Sequence, residues 1–272
     1  MTPPTQVSLP RRPFDRSNAL MRFIVVSLFV LTLYGFTALE TGGVNMADAW
    51  SMLADNAATL FFRPGLTNVT VSELLVSLGI TIGLGFLTTV FGAVIGFGLA
   101  LASALNIAPV WLSVLVKGFT AVVRAIPTVL WVLIFAVSAG LGSVAAVLGM
   151  TFHSAGYLIK AYAESFEDVD AGSIEALRAG GADWWHIVGQ VVTPSAMPAL
   201  ISWTFLRFEI NFSTAIAMGA AAGAGGIGFD MFMASGFYLN IREMGAFTYA
   251  ILIFAVIMEF IATRLQARQS HR

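Results

Sequence analysis

Residues 175–194 read EALRAGGADWWHIVGQVVTP, from Glu175 to Pro194. Glu, Arg, Asp, His and Gln sit here beside two Trp, a Gly pair and a closing Pro, within an otherwise apolar chain. Asp170 or Ser173 predicts an N-cap, and Ile174, Ala176, Leu177 and Ala179 favour a short helix behind it. Gly180-Gly181 ends that helix, because Gly accepts the left-handed conformation at a C-terminus. Asp183 caps a second helix, on which Trp184, Ile187, Val188 and Val191 recur at helical spacing and make one apolar face. Trp184 and Trp185 suit a membrane–water boundary. Pro194 sets the angle at which the next apolar run begins. The stretch therefore predicts a helix outside a membrane, a Gly hinge, and a boundary helix feeding a span.

Working outward, 58% of the 272 residues are hydrophobic and 11% are charged. Soluble domains carry about 25% charged residues, so an all-α polytopic membrane protein is the expected class. The net charge of −1 offers nothing to nucleic acid, and zero cysteines exclude disulfides, thiolate metal sites and cysteine nucleophiles. His153, His186 and His271 show no metal-ligand spacing. A phosphate-binding loop needs Lys followed by Ser or Thr. Lys117 and Lys160, the two lysines, precede Gly118 and Ala161, so this chain has no such loop, and if it takes part in ATP-driven transport the ATPase is a different polypeptide.

Six apolar runs are expected to cross the membrane as six transmembrane helices. A polar basic tail, 1–19, precedes the first span at 20–39, read as a retained anchor rather than a signal peptide. An extracytoplasmic loop follows over 40–73, with Gly42-Gly43 and a short helix near 46–61. Further spans are expected at 74–104, 111–139, 143–164, 196–221 and 245–264, with the polar segment 166–194 between the fourth and fifth. A Gly-rich loop is expected from about 222 to 243, and a tail at 265–272. Runs of about 20 residues cross ~30 Å of hydrocarbon at 1.5 Å per residue. Arg11, Arg12, Arg16, Arg22, Lys117, Arg124, Arg178, Arg264, Arg268 and Arg272 gather at one side, and Arg63 and Arg242 at the other. The positive-inside rule then places both termini and residues 166–194 in the cytoplasm. In the second span Gly79, Gly83, Gly92, Gly96 and Ala100 recur at spacings that permit close helix packing.

Arg207 and Glu209 lie well inside the fifth span, where an ionisable group costs about 2.5–3.5 kcal/mol, so each must face a cavity or a partner. Arg207 shares a helix face with Asn211, and Glu209 shares another with Ser213. Two readings stand: Arg207 pairs with a carboxylate, such as Glu209 of a second subunit, or it supplies positive field to an anion in a pathway. Tyr157, Lys160 and Glu164 read as a boundary cluster with one ion pair.

The pattern resembles the permeases of ATP-binding-cassette importers, whose cytoplasmic signature runs Glu-Ala-Ala, three residues, Gly, nine residues, Ile-x-Leu-Pro. Glu175-Ala176-Leu177, Gly181 and Val191-Val192-Thr193-Pro194 fall at these positions, with Leu177 and Thr193 as departures. Thr88-Thr89 with Gly92, and Arg124-Ala125-Ile126-Pro127, are similar to the start of the type I permease core and of its next span. The resemblance covers residues 70–264, leaving the permease core as 74–264. It implies that Glu175, Ala176, Leu177, Gly181 and Pro194 couple to an ATPase that holds ATP and Mg, with no cofactor in this chain. It also implies a bacterial inner-membrane location, a non-catalytic role, a second permease subunit in a homodimer, two ATPase chains and an extracytoplasmic binding protein.

Leu206–Asn211 (LRFEIN) with Gly223–Phe229 (GAGGIGF) is similar to phosphonate-import permeases and implies cargo of phosphonate or a related phosphorus oxyanion. The Gly-rich part recurs in methionine and other amino-acid importers, which leaves an amino acid as the alternative cargo. Relatives place a basic residue near Ser213 that this chain does not have. Arg207, Glu209, Asn211, Ser213, Gly225 and Gly226 are the expected pathway or gate residues. Gly223, Gly225 and Gly228 also fit a dinucleotide-binding pattern, but that motif needs a preceding strand. A secondary transporter would carry an internal repeat, and a membrane enzyme a polar catalytic cluster; neither is visible.

Overall fold

The computed structural model describes residues 16–38 and 45–269, with the side chains of Met46, Ala47 and 265–269 excepted. Of the expected tails at 1–19 and 265–272, residues 16–19 and 265–269 are helical instead, and residues 1–15 and 270–272, with Arg11, Arg12, His271 and Arg272, lie outside the described residues, as do Gly42-Gly43 and the side chain of Arg268. The described residues contain helices and no strand. The chain divides into two compact units, 1–54 and 55–272.

The first unit holds α1 (Arg16–Ala38), apolar apart from Arg16, Ser17, Asn18 and Arg22 in its opening turns and scattered hydroxyls. A helix that is apolar all round suits lipid. α2 (Met46–Phe62) follows, close to the expected bounds, and leads into the second unit.

The second unit begins with α3 (Val71–Ser103), 33 residues and about 50 Å long at 1.5 Å each. Thr70 and Glu73 close its first turn as a capping box: Thr70 N–H donates to Glu73 Oε2 at 2.7 Å and Glu73 N–H to Thr70 Oγ1 at 3.3 Å. α4 (Val110–Ala125) and α5 (Thr128–Ala139) come next, then α6 (Ser143–Glu167). α6 is the centre of the unit and packs against α3, α4, α5 and the helix after the polar segment. On α3, a Cβ on Gly92 would stand 2.8 Å from the Ser154 Cβ, and one on Gly96 2.8 Å from the Leu158 Cβ. These glycines let the two backbones approach until Ala100, Leu158, Tyr162 and Phe166 interlock in one buried cluster.

The third expected span, 111–139, is not one helix. α4 and α5 are bent by 89° at Ile126-Pro127. Ile126 adopts an extended conformation (φ −86°, ψ 122°), as a residue before proline prefers, and Pro127 has no N–H to continue the ladder.

Beyond α6 lie α7 (Ala171–Ala179), α8 (Trp184–Ile187), a π-helical turn (Val188–Val192) and α9 (Thr193–Ala222). The last three run on continuously. Thr193 N–H donates to Val188 O, five residues back, and the wide turn takes up the disruption that Pro194 brings to the following helix. The fifth helix is therefore longer at its start than expected. The Gly-rich region is also more ordered than the loop expected to 243: it holds α10 (Gly226–Gly236), joined to α9 by a sharp turn and bent 48° from it. Gly219 and Gly228 have no Cβ, so α9 and α10 meet backbone to backbone. α11 (Ile241–Gln269) completes the described chain.

Among the described residues, four helices, Arg16–Ala38, Val71–Ser103, Ser143–Glu167 and Ile241–Arg264, are long and apolar enough to cross a membrane, and the number is up to six if each bent pair is one span.

Candidate functional site

The polar segment folds as two capped pieces. Asp170 accepts from Ser173 N–H at 2.8 Å and from Ser173 Oγ at 2.9 Å, which opens α7. These bonds hold the Asp170 carboxyl below the usual aspartate range. Gly180 N–H closes the helix on Ala176 O, and Gly181 takes φ +83°, so the chain turns where the Gly pair predicts. Asp183 accepts from His186 N–H at 2.8 Å and faces His186 Nδ1 at 2.7 Å; its carboxyl is likewise lowered, chiefly by the backbone bond.

One face of this segment is anchored and the other is open. Ile174, Ile187, Val188 and Val192 are buried in the same cluster as Leu158 and Phe166, and Leu177 packs half-buried against it. Glu175, Ala176, Arg178 and Gly181 are exposed, as is Pro194. Two hydrogen bonds clamp the segment to the α3–α4 connection: Arg178 Nη2 donates to Asn106 O at 2.9 Å, and Trp184 Nε1 to Ile107 O at 2.9 Å. Asn106 Nδ2 in turn donates to Phe166 O at 2.7 Å, and Leu105 N–H to Glu167 Oε1 at 2.9 Å. The segment is thereby tied to the ends of both α3 and α6.

The second constellation lies on α9. Arg207 and Asn211 are both buried, at 3% and 0% exposure, one turn apart. They join a directed hydrogen-bond chain through three helices. Arg207 Nε donates to Ser154 Oγ (3.0 Å), Ser154 to Asn211 Oδ1 (2.8 Å), Asn211 Nδ2 to Thr89 Oγ1 (2.9 Å), and Thr89 to Gly85 O (2.7 Å). The guanidinium also lies over the Tyr157 ring, 5.2 Å from its centroid. Arg207 makes no ion pair among the described residues.

Glu209 and Ser213 are on the more open side of α9, with Glu209 within electrostatic reach of Glu259 of α11. Gly225 and Gly226 take φ +80° and +74° in the α9–α10 turn. Ile227 N–H donates to Thr81 Oγ1 at 2.9 Å, and a side chain on Gly226 would strike that same hydroxyl. The turn is tightly seated on α3 rather than loose.

Sequence reasoning missed Ser154, the node of the polar chain, because a lone serine in an apolar run carries no pattern. It also missed Glu243, fully buried at the start of α11, which gathers the N–H groups of Thr67, Asn68 and Val69 at 3.1, 2.7 and 3.1 Å. The Asn240-x-x-Glu243 spacing, whose Asn240 Oδ1 accepts from Glu243 N–H at 3.2 Å, is a cap signal that marks the position. Lys160 and Glu164 form the expected ion pair, at 3.5 Å and well exposed.

Residues 92–272 match the family model described as binding-protein-dependent transport system inner membrane component. The chain is 29% identical over 192 residues to the phosphate-import permease protein PhnE of Mycolicibacterium smegmatis, covering 69% of this chain and 35% of that protein. It is 31% identical over 183 residues to the phosphite transport system permease protein PtxC of Stutzerimonas stutzeri, covering 66% and 65%. This chain thus spans about a third to two thirds of the length of these two relatives. Among solved structures, an inward-facing MetNI methionine ABC transporter superposes with a TM-score of 0.67 at 24% identity, covering 75% of this chain and 99% of that one. That likeness shows the fold. The family implies an ATPase and a substrate-binding protein as partners. This multi-pass chain belongs to the binding-protein-dependent inner-membrane components, the type I ABC importer permeases, and is most like their phosphonate branch.

Proposed function

We propose that this chain is half of the translocation pathway of an ATP-driven importer for phosphonate or a related phosphorus oxyanion such as phosphite or a phosphate ester. The observation that carries the reading is the α7 segment, exposed at Glu175 and Ala176 and clamped through Arg178 and Trp184 to the ends of α3 and α6. In this reading the spans number six, each bent pair counting as one, and the tails and segment 166–194 are cytoplasmic. Two copies form the pathway, and two ATPase subunits that hold ATP and Mg dock on α7. An extracytoplasmic binding protein supplies the cargo, and this chain does no chemistry and holds no cofactor. Arg207, an arginine with no carboxylate partner among the described residues, supplies positive field toward an anion. Asn211 aligns it through Ser154; Glu209, Ser213, Gly225 and Gly226 border the route or its gate.

The test is uptake into proteoliposomes that contain this chain with its ATPase and binding protein. Methylphosphonate, phosphite, phosphate and methionine are offered separately. ATP-dependent uptake of a phosphorus oxyanion is expected. Uptake of methionine alone would transfer the cargo to the amino-acid branch, and uptake driven by an ion gradient without ATP would remove the importer reading.

A further inference from the structure

A cleft between α3, α4 and α6 has two chemically different halves. At the end of the bundle that carries α7, a cavity of about 360 Å³ is bordered by Lys117, Arg124, Lys160, Glu164 and Glu167. Lys117 pairs with Glu167 at 3.0 Å and Lys160 with Glu164 at 3.5 Å, which leaves Arg124 as the cation without an ion pair among the described residues. Ser103 and Thr120 border the same cavity, 1% and 4% exposed, with hydroxyls that have no hydrogen-bond partner among the described residues.

One helical turn deeper, the same three helices enclose a second cavity of about 190 Å³ whose lining is wholly apolar, including Leu99, Phe119, Val123 and Phe152. Ile159 borders both cavities. On α3 Leu99 precedes Ser103 by four residues and so shares its face, and with Ile159 it places the two cavities side by side. The cleft is therefore cationic on balance at its mouth and apolar beyond it.

We propose that this cleft seats one anionic phospholipid. Its headgroup phosphate lies among Lys117, Arg124 and Lys160, and one acyl chain follows Leu99 to Phe152. Basic pockets between spans on the cytoplasmic side are suited to such headgroups. A small free oxyanion shares the phosphate chemistry but has no use for the apolar half. The orientation rests on the cytoplasmic placement of α7 proposed above; the lipid chemistry does not.

The experiment is native mass spectrometry of the full-length chain in mild detergent, titrated with phosphatidylglycerol or phosphatidylcholine of identical acyl chains. One retained phosphatidylglycerol per chain is expected, favoured over phosphatidylcholine. Lys117→Gln and Arg124→Gln should each weaken it about fivefold, from ~1 kcal/mol per cation near a lipid headgroup. Phe119→Asp should weaken it by acting on the acyl half alone. Should Arg124→Gln fail to fold, the exposed Lys160→Gln gives the same readout. Equal retention of both lipids overturns the proposal. So does release of phosphatidylglycerol by millimolar methylphosphonate or inorganic phosphate, which would make the cleft a site for free oxyanion. Because ATPase, binding protein and cargo transport are absent from the assay, a failed transport reading leaves this result standing, and the reverse.

Discussion

Ser154 Oγ donates to Asn211 Oδ1 at 2.8 Å while accepting from Arg207 Nε at 3.0 Å, so one hydroxyl on α6 governs two buried groups on α9. Ser154→Ala leaves both without that partner. Hydrogen bonds between membrane helices are worth about 0.6 kcal/mol on average and up to ~1.7. A loss of about 1–2 kcal/mol is expected, read as a lower thermal midpoint in detergent. A double-mutant cycle with Asn211→Ala should return a coupling of about 0.5–1.7 kcal/mol. Additive single effects would mean that the chain is not a unit.

The glycines of α3 separate into two kinds. Gly92 and Gly96 face Ser154 and Leu158 of α6 with no room for a methyl, whereas Gly79 and Gly83 have nothing within 4 Å of a built Cβ. Gly92→Ala and Gly96→Ala should each cost about 1–3 kcal/mol by overpacking. Gly79→Ala should be neutral or slightly stabilising, since it removes helix-interior flexibility. Midpoints of the purified variants, ranked against wild type, check the division.

That division also marks what was legible. The sequence period identified a small-residue face, but only the partner helix decides which glycines are buried against it. The caps at Asp170 and Asp183 and the stop at Gly180-Gly181 were readable because short-range hydrogen bonding decides them. The break at Pro127 was harder, because a proline in an apolar run can either kink a span or divide it, and the 89° outcome depends on α5 finding α6. The α10 helix was hidden by its glycines, which read as loop residues but here permit backbone contact with α9. Arg207 and Asn211 were legible as a shared face; Ser154 and Thr89, which connect them, lie 53 or more residues away, and neither Ser154, which carries no motif, nor the Thr88-Thr89 pair signals that contact.

Removing the Arg178 clamp separates docking from transmission. Arg178 donates to Asn106 O, and Glu175 on the same helix is exposed and free for a partner. Arg178→Ala should leave ATPase binding unchanged while uptake per ATP hydrolysed falls severalfold. Glu175→Arg should instead weaken ATPase association itself. Pull-down and uptake measured on the same preparations distinguish the two, and an identical phenotype for both variants would count against the clamp.

The caps set a pH limit on the segment. Hydrogen bonds to Ser173 and His186 depress the carboxyls of Asp170 and Asp183 when folded. A depressed folded value means the stabilisation is complete above the unfolded aspartate pKa of about 3.9. It is lost as pH falls through the lower folded values. Protection of the Ser173 and His186 amides against hydrogen exchange should therefore be flat from neutrality to about pH 4 and drop below it, after correction for intrinsic rates. Asp170→Asn should keep the protection at every pH, because the amide oxygen still caps; Asp170→Ala should remove it throughout.

Arg207 decides whether the buried chain serves the pathway or only the packing. Its Nε is used by Ser154 and its face by Tyr157, leaving the positive charge without a carboxylate among the described residues. Arg207→Lys keeps a positive charge but not the planar donor held by Ser154; Arg207→Met keeps much of the volume and drops the charge. If the charge attracts an anion, Lys should retain measurable uptake, whereas Met should lose tenfold or more with dimer and ATPase assembly intact. If the residue holds helices in register, Met should dissociate the dimer or lower the thermal midpoint in proportion to the lost uptake. Uptake, cross-linked dimer yield and midpoint, taken together on both variants, separate the outcomes. Wild-type uptake by Arg207→Met would remove the charge from the mechanism altogether.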